Sequence, residues 1–145
     1  MKKLILLFTV VVYSFGITPF NLENVKELNI KILNKKENIS KELENKLETN
    51  IKNKLEKLGI KTTTDKYINF LVKIKINKIK DVEFVQTSIF ISEDVLPARD
   101  TSVEALAITY KKDDSFEAED LENDIYESVV DYLLEDFIEQ YKAEN

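Results

Sequence analysis

The side chains with the clearest chemical potential in this sequence are carboxylates. Five oxygen-bearing residues follow the spacing of a calcium-binding loop, namely Asp113, Ser115, Glu117, Glu119 and Asp124. Calcium prefers such oxygen ligands, but the loop needs a glycine at its sixth position for a sharp turn. That position is Ala118, and the segment has the pattern of a connection between a strand and a helix. We therefore predict no metal site here.

A second polar segment joins two predicted strands. It contains Glu93, Asp94 and Asp100 together with Arg99, which is the single arginine of the chain. A lone arginine among carboxylates usually forms a local bidentate pair. Paired carboxylates can cleave glycosidic bonds only if one of them is held protonated in a cleft. Since nothing nearby indicates burial, we predict a surface for partner contact and no catalytic residue.

A third group of carboxylates lies along one side of the last predicted helix, and it comprises Asp124, Glu127, Asp131 and Glu135. Like charges four residues apart destabilise a helix by a few tenths of a kcal/mol. A helix that keeps such a row either tolerates this cost or meets a basic partner there. We predict that these four residues contact a partner.

The composition excludes most catalytic machinery. The chain has 145 residues, no histidine, no cysteine and only two glycines, Gly16 and Gly59. Without histidine and cysteine it forms no Ser-His-Asp triad, thiolate zinc site or iron–sulfur cluster. Without glycine-rich turns it forms no phosphate-binding loop and no dinucleotide-binding turn. We predict that the protein is not an enzyme and carries no cofactor.

Charge is divided unequally along the chain. Residues 17–80 carry 15 lysines against 8 carboxylates, whereas residues 81–145 carry 4 basic residues against 19 carboxylates. Three explanations are open. The two halves neutralise each other across the fold, the acidic half is a docking face, or the basic half binds nucleic acid. The last is the weakest, because phosphate binding requires an uncompensated basic surface.

The N-terminus has the pattern of a secretory leader. Met1-Lys2-Lys3 is followed by the uncharged, mostly apolar run Leu4–Phe15, and Ser14 and Gly16 are small residues that suit cleavage after Gly16. The run is short for a membrane span, although retention as an anchor stays open. A cysteine to carry a lipid is missing. We therefore predict a signal peptide over residues 1–16 and a periplasmic or secreted protein that is not a lipoprotein.

Hydrophobic periodicity predicts one α+β domain over residues 17–145. The order β-α-β-β-β-α favours a two-layer sandwich, with a mixed four-stranded sheet and two helices on one face. The pattern slips at Asn77-Lys78, which predicts a turn or bulge, and Lys111–Ser115 reads as a turn. The predicted strands are Val25–Asn34, a segment from Ile68 to Ile76, Val82–Ser92 and Val103–Tyr110, and the predicted helices are Ser40–Leu58 and Phe116–Tyr141.

Local signals mark both ends of the first helix. Asn38 or Ser40 is suited to cap its N-terminus, because a short polar side chain accepts from free first-turn N–H groups. At the other end, Gly59 occupies the position where a left-handed residue stops a helix, and Ile60 can pack back on Leu55. The single glycine after the leader therefore has a structural role.

The element order is similar to that of small envelope-assembly lipoproteins: a strand, a helix that ends in Leu58-Gly59-Ile60, three strands and a long C-terminal helix. The chain departs from them because it has no lipidated cysteine, and a shared fold does not fix function.

We predict an exported, non-enzymatic binding or assembly module of the cell envelope, whose partner is another envelope protein and not nucleic acid. The alternative is a carrier of a small apolar ligand or lipid. A carrier predicts a cavity between sheet and helices that is lined by residues such as Phe70, Phe90 and Tyr132.

Overall fold

A computed structural model describes residues 21–34 and 39–145 of the chain. The predicted leader and its cleavage point after Gly16, together with the alternative N-cap Asn38, lie outside the described residues.

The sheet has the predicted architecture. Its four strands are β1 (Asn29–Leu33), β2 (Ile68–Ile79), β3 (Val82–Val95) and β4 (Ala105–Ala118), and they lie side by side in that order. β1 pairs with β2 in parallel, and β2–β3 and β3–β4 are antiparallel. With a helix between β1 and β2 and another after β4, the α+β fold with order β-α-β-β-β-α is confirmed.

Helix α1 (Lys41–Lys57) begins and ends where local chemistry predicts. The hydroxyl of Ser40 accepts from the backbone N–H of Leu43 at 3.1 Å. At the C-terminus, Gly59 has a φ of 82°, and the N–H of Ile60 donates to the carbonyl of Leu55 at 3.1 Å. Together with the bond from Gly59 N–H to the Glu56 carbonyl, this is a Schellman motif.

The C-terminal helix, α2, is continuous from Leu121 to Glu144 but changes its winding. It is α-helical over Leu121–Tyr126, π-helical over Glu127–Leu133 and α-helical again over Leu134–Glu144. Its apolar residues recur at intervals of four, at Leu121, Ile125, Val129, Leu133, Phe137 and Tyr141. In a uniform α-helix, each such interval rotates the side chain by about 40° out of line. The wider π turn offsets this rotation and keeps the row facing the sheet.

Several predicted boundaries are corrected by the long β2–β3–β4 meander. β2 continues without a slip to Ile79, which pairs with Val82 across a two-residue turn at Lys80 and Asp81, and Lys80 has a φ of 57°. Lys111–Ser115 is not a turn but the middle of β4, and α2 consequently starts at Leu121 and not at Phe116. Charged residues fit in β4 because it lies at the edge of the sheet, where Lys111 and Lys112 pair with Asp113 and Asp136.

The core lies between the helices and one face of the sheet, where Phe70, Val72, Val85, Ile89 and Ile91 are buried. Phe137 from α2 is at its centre, with its ring edge-on to Phe70 and to Tyr110, each at 5.2 Å between centroids. The opposite face of the sheet presents Lys73 and Lys75, which are exposed. No helix of the described residues covers that face.

Tyr110 has an unusual environment. Its side chain is buried, and its hydroxyl has no hydrogen-bond partner among the described residues. Burial raises the pKa of this phenol well above its usual range, and Asp136 and Glu144 add to the effect. An unsatisfied buried donor costs roughly 1–3 kcal/mol. Tyr110 therefore contributes its ring to the core while its hydroxyl opposes folding.

We expect Tyr110→Phe to raise the free energy of unfolding at neutral pH by about 1 kcal/mol, because the orphan hydroxyl is removed and the ring is kept. The native pKa exceeds the unfolded one, so stability falls as alkaline pH ionises the unfolded state. Tyr110→Phe should lose less stability than the wild type above about pH 10. Urea unfolding at neutral and alkaline pH measures both effects.

Tyr141→Phe is the matched control, since its hydroxyl donates to the carbonyl of Val25 at 3.0 Å. This control should lose about 1 kcal/mol. If Tyr110→Phe also loses stability, the hydroxyl of Tyr110 has a favourable partner and our interpretation is wrong.

Candidate functional site

The candidate site is a groove of about 580 Å³ between β4 and the first half of α2. β4 and the residue after it supply Asp114, Phe116, Glu117 and Glu119. The helix supplies side chains three to four positions apart, which share one side of the helix. They are Asp124, Glu127, Ser128, Asp131 and Tyr132. The groove is therefore an acidic channel with aromatic groups on both walls.

A buried chain of hydroxyl groups ties the two walls together. Thr87 on β3 and Ser128 on the π segment are 2.6 Å apart between their hydroxyl oxygens. Ser128 donates in turn to the carboxylate of Asp114 at 2.7 Å. The Thr87 side chain is completely buried, and Ser128 is nearly so. Because these bonds join β3, β4 and α2, they fix the width of the groove.

Six carboxylates of the described residues line the groove, and they differ in the number of hydrogen bonds that they accept within the protein. Asp124 accepts from the backbone N–H groups of Glu119 and Asp120, the two residues that precede α2. Glu127 accepts from the side chain of Asn123 at 2.8 Å. Glu117 and Glu119 make no ion pair or side-chain hydrogen bond within the described residues. No lysine or arginine of residues 21–34 and 39–145 lines the groove.

Among the described residues, Lys54 of α1 is the one lysine of the first half that forms an ion pair with the acidic half. Its ammonium group donates to Glu135 at 2.5 Å and lies 4.0 Å from Asp131. It also donates to the backbone carbonyl of Val130 at 3.0 Å, within the π segment. Lys46 also reaches the acidic half, where its ammonium group lies 4.0 Å from the centroid of the Tyr126 ring. The other five ion pairs of the described residues stay within one half of the sequence. Ion pairing between the halves is therefore confined to Lys54 among the described residues, and most of the acidic side chains there have no lysine paired with them.

The predicted acidic row on the last helix is thus divided between two places. Asp124, Glu127 and Asp131 line the groove. Glu135 instead faces α1 and pairs with Lys54. Glu127 and Asp131 lie within the π segment, whereas Glu135 follows it in the regular α-helical part of α2. Tyr132 is 55% exposed at the mouth of the groove.

The other predicted group lies at the far end of the β3–β4 hairpin. Glu93 accepts from the hydroxyl of Thr109, and Asp94 is exposed opposite Leu106. Asp100 accepts from the backbone N–H and hydroxyl of Ser102, which lowers the pKa of its carboxyl. Arg99 is exposed and forms no ion pair within the described residues, contrary to the expected local pair. This hairpin end also exposes Leu96, Val103, Leu106 and Ile108.

The three residues expected to line a carrier cavity do not come together. Phe70 is buried in the core against Phe137. Phe90 pairs in register with Leu71, next to Phe70, and therefore projects from the opposite face of the sheet. Tyr132 is exposed on α2. The space between the sheet and the helices is filled at this point by packed side chains.

Sequence reasoning missed Asp114 and Phe116 as site residues, because their segment was interpreted as a turn and a helix start. The signal that reveals them is the alternation of Tyr110, Phe116 and Ala118, which marks one face of a strand. Glu117 and Glu119 were singled out for calcium spacing and instead line the groove. Among the described residues, no group of three or more carboxylates is arranged to hold a metal ion.

The fold and the groove define a two-layer α+β domain with an acidic channel at one edge of its sheet. No helix in the described part of the chain is long and apolar enough to cross a membrane. No protein-family model matches the chain, and no curated protein is significantly similar to it.

Proposed function

We propose that this protein is an exported, non-enzymatic binding module that docks a basic segment of another envelope protein in the groove between β4 and α2. Export is supported by the basic start, the apolar run Leu4–Phe15 and the small residues before the predicted cleavage point. Binding rather than catalysis is supported by a sequence without histidine or cysteine.

The observation that carries the proposal is a concentration of negative charge beside aromatic side chains, in which Asp131 alone lies within 4.0 Å of a lysine of the described residues. In the part of the chain that the structure describes, six carboxylates and no basic residue line the groove, and Tyr132 is exposed at its mouth. Complementary charge speeds encounter and selects partners, and an exposed aromatic ring adds contact area and a face for a cation. A lysine- or arginine-rich segment has the chemistry that matches this surface.

The proposal is tested by site-specific photo-crosslinking in the cells that make the protein, with the full chain expressed from its own gene. A photoreactive residue at Tyr132 should capture one reproducible partner. The same probe at Thr49, on the exposed side of α1, should not capture it. The charge-reversal variant Glu117→Lys/Asp131→Lys should lower the yield at Tyr132 by about tenfold, because both side chains are exposed and repel a basic segment once reversed.

The matched control is Glu48→Lys/Glu104→Lys, which changes the net charge equally at exposed positions away from the groove. Its yield should equal that of the wild type. The proposal is overturned if both double variants lower the yield equally, or if Tyr132 and Thr49 capture the same molecules. If the Tyr132 probe captures a lipid or metabolite instead of a protein, the carrier alternative replaces it.

A further inference from the structure

β4 has an open edge beside the groove. It is the last strand of the sheet, and no other strand of the described residues pairs with its outer side. In the N-terminal half of β4, the side chain of Asn21 donates to the backbone carbonyl of Thr109, so this carbonyl group of the edge already has a partner. From Lys111 to Ala118 the edge continues for eight residues, or about 26 Å. Such an edge presents unpaired N–H and C=O groups that can pair with another extended chain.

The hydrogen bonds indicate which residues face outward. The N–H of Ser115 donates to the side chain of Asp114 at 2.8 Å, which indicates that this backbone group faces away from β3. Since successive residues of a strand direct their backbone groups to alternate edges, Lys111, Asp113 and Glu117 face outward together with Ser115. These four residues therefore offer the backbone groups for an added strand.

The groove opens along this same edge. Asp114 and Phe116 project from the helix-facing side of β4, whereas Glu117 projects from the opposite side, yet all three line the groove. Because the groove is lined from both faces of β4, it passes around the outer edge of this strand. A segment that enters it is thereby placed next to the open backbone groups of β4.

The charge of the site decides between two occupants. A second copy of this chain carries a net charge of −6 and would bring another row of carboxylates to the edge. A basic segment brings the opposite charge. Lys111 and Lys112 do not offset the acidic groups of the groove, because they are already paired with Asp113 and Asp136.

We infer that the basic partner segment binds in extended conformation and adds a fifth strand to β4 along Lys111–Glu117. This inference rests on the function proposed above and specifies the recognition mode. Side chains of a strand alternate between the two faces of the sheet, so every second residue of the segment projects into the groove toward Asp114, Asp124 and Asp131. The partner motif therefore has lysine or arginine at alternate positions, and small polar residues between them.

The test uses the full chain, labelled with ¹⁵N, and an eight-residue peptide that alternates lysine and threonine. Two further peptides carry backbone N-methyl groups, one on all lysines and the other on all threonines. N-methylation removes N–H donors from one edge of a strand and leaves the charge unchanged. One methylated peptide should bind at least tenfold more weakly than the parent, and the other should bind like the parent. Amide exchange at Lys111, Asp113 and Glu117 should slow when the parent peptide binds.

The outcomes bear differently on the two proposals. If both methylated peptides bind like the parent and Glu117→Lys/Asp131→Lys abolishes binding, docking in the groove stands and strand addition is wrong. If the parent peptide does not bind, both proposals fail. If the protein dimerises without peptide and the same amides become protected, the edge belongs to a second copy and the inference is overturned.

Discussion

Phe137→Ala should lower the free energy of unfolding by about 3–5 kcal/mol, which is the usual range for removing a buried phenylalanine. The ring is fully buried on α2 and meets Phe70 and Tyr110 edge-on, and it stacks on Tyr141 at 6.3 Å between centroids. Removing it leaves a cavity between rings on the sheet and on the helix. Domains of this size are stable by about 5–15 kcal/mol, so the loss is a large fraction of the total.

Urea unfolding followed by far-UV circular dichroism measures this effect, and it suits a chain without tryptophan. Tyr132→Ala on the same helix is the matched control, because that ring is 55% exposed and its removal should change stability by about 0.5 kcal/mol or less. Phe137→Leu should fall between the two, since leucine refills part of the space. Equal losses for Phe137→Ala and Tyr132→Ala would show that the core does not close around Phe137.

The parts of the fold that depend on neighbouring residues in the sequence were predictable. Ser40 caps α1 and Gly59 ends it, because capping and left-handed stops need only a few consecutive residues. The alternation in β2 and the short connections between later strands are likewise local. The parallel pairing of β1 with β2 follows from the helix between them, since a crossover of that length brings the second strand back in parallel.

The parts that depend on distant residues were not predictable. A run of charges from Lys111 to Asp114 has the composition of a turn, and it becomes a strand because β3 pairs with it and Asp136 on α2 neutralises Lys112. The π segment has a similar origin. The four-residue spacing of the apolar side chains on α2 shows that their row would wind around a uniform helix. The position of the wider turns depends on packing against the sheet and on the bond from Lys54 to the Val130 carbonyl.

The distinction between local and distant interactions also explains which residues of the groove could be predicted from the sequence. Three of the groove carboxylates, Asp124, Glu127 and Asp131, were predictable because they share one side of a helix. Asp114 and Phe116 come from β4, and their proximity to the helix is a consequence of tertiary structure. The division of the acidic row, with Glu135 turned toward Lys54, depends on the change of winding inside α2. The row of carboxylates in the sequence therefore predicted that the candidate site is acidic, but it did not predict which residues line the groove.

Ser128→Ala should lower the free energy of unfolding by about 2 kcal/mol, because it leaves the fully buried hydroxyl of Thr87 without its partner. The change removes a single oxygen atom, so the cost comes from the unsatisfied group and not from lost packing. Thr87→Val keeps the shape of the side chain and leaves Ser128 bonded to Asp114, so its cost should be about 1 kcal/mol. The Thr87→Val/Ser128→Ala double variant removes both hydroxyls and should lose no more than Ser128→Ala alone.

A double-mutant cycle from urea unfolding measures the coupling, which should be about 1 kcal/mol. The control pairs Ser128→Ala with Ser88→Ala. Ser88 is adjacent to Thr87 but lies on the other face of the sheet, where its hydroxyl donates to Asp113. This second pair should be additive within about 0.5 kcal/mol. If the Thr87 pair is equally additive, the hydroxyl chain does not join the two walls, and the width of the groove must be set by the apolar contacts of α2 alone.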